Sequence, residues 1–399
     1  MAQYGLITAC YWAFTLTDGA LRMLVVLFFH QLGYSPLQVA MLFLFYEFFG
    51  IVTNLFGGWV AARAGLAFTL LGGLLLQVVA LGMLTVDTTT LTVAYVMFAQ
   101  ALSGIAKDLN KMSAKSGVKA VAQGEGRLYR LVTVLTGSKN ALKGLGFFLG
   151  GALLHWVGFT ESMWIMLVGL ISVGGLTAFW LDYRLGKTTF KPKFTDLLSK
   201  SQPINRLSAA RFFLFGARDV WFVVALPVFL QEQLGWSSVA VGTFLACWII
   251  GYGAIQALAP TITQQQRGTP TGRTATVWGG LLTPLPIILA GMIILGVDAE
   301  LTLVTGLLMF GALFAINSAV HSYLIVSYAE ADGVTLDVGF YYMSNAAGRL
   351  IGTILSGLAY QLWGLEVCLF VSSAMLALAT VLASYLPSST MSQEGASRN

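Results

Sequence analysis

Charge is scarce in this chain. Only 10% of its 399 residues are Asp, Glu, Lys or Arg, while 57% are hydrophobic. Soluble domains run near a quarter charged, so water is excluded as the main solvent of the fold. Cysteine is scarce too: Cys10, Cys247 and Cys368 lie in three separate apolar stretches with no CxxC pair. That excludes a disulfide framework and a thiolate metal site, and leaves the three as small core-filling residues. No HExxH, no GxSxG and no pair of catalytic carboxylates on a polar loop occurs. The loops are also too short for a catalytic domain, so the chain is not expected to be an enzyme and no cofactor is expected. The three histidines, His30, His155 and His321, sit near the ends of apolar stretches, which leaves no central histidine relay. The net charge of +5 comes from short loops and buried cations, so nucleic-acid binding is not expected.

What the chain has instead is long apolar runs. A hydrocarbon core of about 30 Å takes about 20 apolar residues per helix. Twelve such segments are read, at 4–30, 36–61, 66–86, 91–112, 128–157, 162–182, 207–231, 238–261, 275–296, 301–326, 338–363 and 367–386. The runs are long and do not alternate, which predicts helices rather than barrel strands. The first lacks a basic start and a small-residue cleavage site, so it is expected to stay as the first helix. Lys and Arg gather in one set of loops: Arg63; Lys115, Lys119 and Arg127; Arg184 to Arg206; Arg267 and Arg273. The other set holds Asp87, Glu161, Glu232, Asp298, Glu300 and Glu366 and no base. The basic side is cytoplasmic, which predicts a multi-pass protein of the cell (inner) membrane with both termini in the cytoplasm. Loop 327–337 carries Glu330, Asp332 and Asp337 and no base, but acidic residues weigh little in this rule.

The chain also repeats itself once. A shift of 206 puts Ser138 on Ser344, Ala141 on Ala347, Lys143 on Arg349, Gly146 on Gly352, Gly151 on Gly357 and Gly158 on Gly364. A shift of 202 puts Leu32, Gly33 and Ser35 on Leu234, Gly235 and Ser237. Segment 183–206, with six Lys or Arg and two Pro, divides six spans from six. The expected organisation is a six-helix bundle at 1–182, a cytoplasmic linker at 183–206, a second six-helix bundle at 207–387 and a cytoplasmic tail at 388–399. Two such bundles facing one another across a cavity would put Lys143 and Arg349 at related depths on opposite walls.

An ionisable side chain at the bilayer centre costs about 2.5–3.5 kcal/mol on insertion scales, so each one needs a reason. Asp18 and Arg22 are four apart and are expected to pair along one helix face. Glu47 has no base within four residues, so it must find a partner on another helix or be protonated. Arg218 and Asp219 are adjacent and are expected to face differently, so at least one needs another partner. Lys139 and Lys143 share a face and repel unless an anion lies between them. Five mid-span bases, Arg22, Lys139, Lys143, Arg218 and Arg349, stand against three acids, Asp18, Glu47 and Asp219. The surplus points to a small anionic substrate held by those five bases. Asp18, Glu47 or Asp219 would carry a proton or release the cations when the substrate leaves. Lys107, Lys111 and Lys115 form an i, i+4, i+8 stripe; Lys111 and Lys115 are expected to snorkel to the cytoplasmic surface, with the deeper Lys107 guiding substrate in. Arg211 lies a turn or two from the cytoplasmic end of its span.

Several stretches carry a family resemblance. GWVAARAG at 58–65 resembles the loop signature of the major facilitator superfamily: a Gly, an Asp four residues on, then Arg and a second Gly. Ala62 stands in place of the Asp, so the charge network that the family forms around it lacks that member here. The glycines at 146, 150 and 151 resemble the antiporter signature without its proline, and small residues so spaced also let helices pack closely. The whole chain resembles a permease of this superfamily, which implies an all-α membrane protein with twelve transmembrane helices in two pseudo-symmetric six-helix bundles. More narrowly, YWAFTLTDGALRMLVVLFFHQLGYSP (11–36), FLFYEFFGIVTNLFGGW (43–59), ALSGIAKDLNKMSAKS (101–116), LTGSKNALKG (135–144) and LSAARFFLFGARDVWFVVALPVFL (207–230) are similar to organoarsenical efflux permeases of the ArsJ type. That resemblance implies export of 1-arseno-3-phosphoglycerate and arsenate resistance. It also implies a functional link to a glyceraldehyde-3-phosphate dehydrogenase, which forms the compound from arsenate. Charge alone leaves open a carrier of another organic phosphate or sugar phosphate, because arsenate and phosphate have nearly the same shape and charge.

Overall fold

A backbone group left unpaired in lipid costs several kcal/mol, so long apolar runs that cross a bilayer become helices. The computed structural model describes residues 2–121, 125–182, 201–264, 270–328 and 334–387, and among them there is no strand. The α-helices are, in order, α1 (Ala2–Gln31), α2 (Pro36–Leu42), α3 (Leu44–Ala64), α4 (Leu66–Met83), α5 (Val93–Val121), α6 (Glu125–Trp156), α7 (Phe159–Trp180) and α8 (Gln202–Phe222). They continue as α9 (Ala225–Glu232), α10 (Ser238–Gln264), α11 (Gly272–Leu282), α12 (Pro284–Ile294), α13 (Ala299–Tyr328), α14 (Val334–Trp363) and α15 (Leu365–Ser384). Most of the linker (183–200), Arg267, Glu330, Asp332 and the tail from 388 lie outside the described residues, as do the side chains of Arg63, Lys115, Lys119 and Arg127.

Among the described residues, fifteen α-helices agree with twelve predicted spans because three spans are each two helices end to end. α8 gives way to α9 because Pro227 cannot donate to the carbonyl of Val223 and its ring crowds that position. Ser356 Oγ on α14 accepts the freed amides of Val224 and Ala225, at 3.3 and 3.0 Å. Pro284 and Pro286 break α11 from α12 at Thr283 in the same way. The third break, at Phe43 between α2 and α3, involves no proline. It puts Glu47 in the first turn of α3 rather than mid-helix, where the positive end of the helix dipole favours a carboxylate.

Eight spans are long and apolar enough to cross a membrane by length and composition; α4 is a shorter apolar helix. The remaining spans are α5, α6 and α14, which carry Lys107, Lys139, Lys143 and Arg349 among others. α7 turns Trp164, Ile165, Val168, Ile171, Leu176 and Phe179 outward, a face suited to hydrocarbon rather than water. Trp156, Trp180, Trp363 and Tyr385 are exposed at helix ends, as aromatic rings are at membrane–water interfaces. The chain is a multi-pass membrane protein.

The chain divides into two compact units: Met1–Tyr34, Met41–Phe194 and Gly235–Ile250 form the first, and Ser35–Ala40, Thr195–Leu234 and Gly251–Asn399 the second. In the first, α1 packs along α6 with backbone nearly touching backbone. A Cβ on Gly19 would lie 2.9 Å from the Lys143 carbonyl oxygen, and one on Gly146 would lie 2.5 Å from that of Leu16. In the second, α8 and α14 do the same: a Cβ on Gly352 would lie 2.6 Å from the Gly216 carbonyl oxygen. The repeated pair Gly146 and Gly352 thus marks the equivalent crossing in each unit. The next repeated pair seats the start of another helix. Gly151 lies against the Ser238 carbonyl of α10, and a Cβ on Gly357 would lie 2.6 Å from that of Pro36 on α2. The last pair, Gly158 and Gly364, turns the chain at φ +91° and +86°, a region glycine enters without steric penalty.

Candidate functional site

In the first unit, α1, α3 and α5 gather charge around one aromatic ring. Arg22 Nη2 donates to Glu47 Oε1 at 2.8 Å, and Glu47 is 0% exposed. The guanidinium carbon also lies 5.0 Å from the ring centres of both Phe43 and Tyr46. Tyr46 donates from its hydroxyl to Asp18 Oδ1 at 2.6 Å, and its ring lies 4.0 Å from Lys107 Nζ. The pair expected along α1 between Asp18 and Arg22 is therefore replaced by bonds across helices. The reason is that Glu47 and Tyr46 both meet α1 just beyond the break at Phe43. Asp108 lies 3.8 Å from Lys107 Nζ and 3.5 Å from Lys111 Nζ. Lys111 also donates to Asn54 Oδ1 at 3.2 Å. Lys111 was expected to snorkel to the surface, but these two acceptors hold it in, with its side chain 16% exposed. Gly50 makes room for them: a Cβ there would lie 3.3 Å from Asp108 Oδ2 and 3.5 Å from Lys107 Nζ.

α6 runs beside α1 and carries Lys139 and Lys143, both partly buried. Trp12 Nε1 donates to Ser138 Oγ at 2.8 Å, tying the two helices together next to Lys139. Lys143 Nζ lies 5.7 Å from the centre of the Phe147 ring.

The second unit is organised around Asp219, which is 0% exposed. Arg218 Nε donates to its Oδ1 at 2.6 Å, and Arg349 Nε on α14 donates to its Oδ2 at 3.0 Å. Arg218 and Asp219 were expected to face differently, with at least one needing another partner. Asp219 has that partner in Arg349, but the long Arg218 side chain also folds back onto its neighbour's carboxylate. One acid therefore serves two bases from two helices. A turn and more along α8, Arg211 Nε donates to Asn345 Oδ1 at 2.9 Å.

Of the residues singled out in the sequence, Asp18, Arg22, Glu47 and Lys107 meet around Tyr46, and Arg218, Asp219 and Arg349 meet on one carboxylate. Tyr46, Asn54, Phe215 and Asn345 were not singled out. Phe215, whose ring centre lies 3.9 and 4.8 Å from the guanidinium carbons of Arg211 and Arg218, had a legible signal, since 211, 215 and 218 share one helix face at i, i+4, i+7. Away from the helix ends in the first unit, with each broken span taken as one helix, Arg22, Lys107, Lys111, Lys139 and Lys143 stand against Asp18, Glu47 and Asp108 among the described residues. Away from the helix ends in the second, Arg211, Arg218 and Arg349 stand against Asp219 among the described residues. Cations outnumber carboxylates in both. Among the described residues no group of His, Cys, Asp or Glu could hold a metal ion, and all three cysteines are free.

The sequence matches the family model described as the Major Facilitator Superfamily over residues 7–336. No curated protein matches it. Among solved structures it is similar to one from work on substrate recognition in proton-dependent oligopeptide transporters, at 14% identity and a TM-score of 0.71, covering 96% of this chain and 95% of that one. It is also similar to the human organic anion transporter MFSD10 (TETRAN), at 16% identity and a TM-score of 0.69, covering 95% of this chain and 98% of that one. At these identities the likeness is one of fold. The family match spans most of the chain and joins the twelve spans and the internal repeat: this is a membrane transporter that belongs to the Major Facilitator Superfamily.

Proposed function

We propose that this transporter exports an organoarsenical anion, 1-arseno-3-phosphoglycerate, from the cytoplasm by alternating access, and so confers arsenate resistance beside the glyceraldehyde-3-phosphate dehydrogenase that forms the compound. The observation that carries the anion reading is the excess of cations over carboxylates away from the helix ends in both units, among the described residues. In a low dielectric an unbalanced cation is costly, and an oxyanion relieves several at once. Arg22, Lys139, Lys143, Arg218 and Arg349 bind the substrate in this reading, Lys107 guides it in, and Asp18, Glu47 and Asp219 couple or pair. The arsenical part rests on the five stretches similar to ArsJ-type permeases. A structural relative that is an organic anion transporter fits the charge of the substrate, and one that is proton-dependent fits a proton drive. Residues 1–182 and 207–387 form the two bundles in this reading. The linker 183–206, the tail 388–399 and both termini are on the cytoplasmic side of the cell (inner) membrane. The second reading is a carrier of another organic phosphate or sugar phosphate, favoured by the near identity of the two oxyanions.

Everted vesicles supplied with enzymatically generated, labelled substrate test this, with and without a pH gradient. Uptake of the arsenical is expected, and faster uptake with the gradient. Lys143→Ala and Arg349→Ala are expected to lose uptake per folded molecule. Arg349→Lys should be impaired as well, because an ammonium cannot reproduce the two-pronged guanidinium contact with an oxyanion. Uptake of a phosphate ester but not of the arsenical would establish the second reading. Full uptake by both Ala variants would move the site elsewhere.

A further inference from the structure

Among the described residues, Arg211 on α8 is a buried cation without a carboxylate. It is 5% exposed. Its Nε donates to Asn345 Oδ1 at 2.9 Å, and its Nη1 donates to the Ser318 carbonyl and Oγ at 3.2 and 3.1 Å. All three acceptors are neutral. A guanidinium has five N–H donors, and Nη2 with its two N–H groups has no partner among the described residues. The neighbouring His321 is buried, supplies no negative charge, and has no hydrogen-bond partner at Nδ1. Three other arginines away from the helix ends have acids: Arg22 has Glu47, and Arg218 and Arg349 share Asp219. A buried charge needs an opposite one, and for Arg211 the fold, among its described residues, does not supply it.

A second observation bears on what does. The guanidinium carbons of Arg211 and Arg218 lie 3.9 and 4.8 Å from the centre of one ring, that of Phe215. The two cations are thus held within reach of a single small molecule. We infer that Arg211, held by Asn345 and Ser318, is a further anion-binding point of the second unit. The substrate is then a small molecule with two separate anionic groups, one at Arg218 and Arg349 and the other at Nη2 of Arg211. This rests on the anion reading above and adds the spacing of charge that the substrate must have.

The test compares two phosphate esters that differ at one end. 3-Phosphoglycerate carries a carboxylate where glycerol 3-phosphate carries an alcohol. Binding of each is measured by calorimetry on the full chain in lipid nanodiscs, for the wild type, Arg211→Gln and Asn345→Asp. Asn345→Asp puts a carboxylate where an acceptor of Arg211 already stands, so it satisfies the cation from within and is expected to fold. The wild type is expected to favour 3-phosphoglycerate by about tenfold or more, the worth of a charge-assisted hydrogen bond. In Asn345→Asp, and in Arg211→Gln if it folds, the preference is expected to drop to within about twofold, with glycerol 3-phosphate bound as before. A preference that survives in Asn345→Asp, or a wild type without preference, overturns the inference and leaves the anion reading standing. A wild type that binds neither ester overturns the inference, and overturns the anion reading as well if the everted vesicles also take up no labelled arsenical.

Discussion

At the scale of single residues, the charges in these helices are tied together in ways that make some of them structural. Glu47→Gln takes away the carboxylate that Arg22 reaches at 2.8 Å. Breaking a buried pair by removing one partner costs about 3–5 kcal/mol, so the variant is expected to unfold at clearly lower temperature in detergent. Arg22→Met with Glu47→Leu removes both charges and should recover most of that stability while transport stays lost. If Glu47→Gln melts like the wild type, the pair contributes little and Glu47 is free for a coupling role alone. The sequence made part of this legible: with no base within four residues, Glu47 needed a partner on another helix or a proton. It did not reveal Tyr46, because a ring that meets Asp18 and Lys107 at once depends on how three helices cross. Nor did it reveal the return of Arg218 onto Asp219, since spacing rules describe where Cβ atoms point and not where a long guanidinium side chain ends.

At the scale of elements, the glycines are the clearest part of the message. Gly146 and Gly352 recur at one offset and sit at equivalent helix crossings, where an added Cβ would lie only 2.5 and 2.6 Å from a carbonyl oxygen. Backbone cannot step aside as a side chain can. Gly146→Ala and Gly352→Ala are each expected to cost about 1–3 kcal/mol or more through overpacking. Gly72→Ala and Gly280→Ala, which meet nothing within 4 Å, should be neutral or gain about 0.5–1 kcal/mol from helix propensity. Thermal unfolding of the four purified variants decides between close packing and mere helix-breaking composition. The breaks were less legible than the crossings. Those at Val223 and Thr283 are announced by prolines a few residues on, whereas the one at Phe43 has no local signature. That break moves Glu47 into a first turn, so part of the site depended on a feature outside the reach of sequence patterns.

At the scale of the whole molecule, length and apolarity placed most helix ends to within a few residues: the predicted spans 238–261 and 301–326 became Ser238–Gln264 and Ala299–Tyr328, whereas 91–112 ran on as Val93–Val121. Orientation rests on the basic loops alone, and it is testable. A reporter active only outside the cytoplasm should be silent when fused after residue 399 and active when inserted after Asp298; the reverse pattern would invert the topology. What the repeat does not convey is how the chain is shared out. The first unit takes in Gly235–Ile250 from beyond the linker, and the second takes in Ser35–Ala40 from before it. Gly151 and Gly357, the matching positions of the repeat, are where those borrowed segments seat. The two halves therefore repeat one pattern without being self-sufficient. A gene cut within the linker would encode two polypeptides, each missing a piece of its own core and carrying a piece of the other's, so that neither half could mature without its sibling.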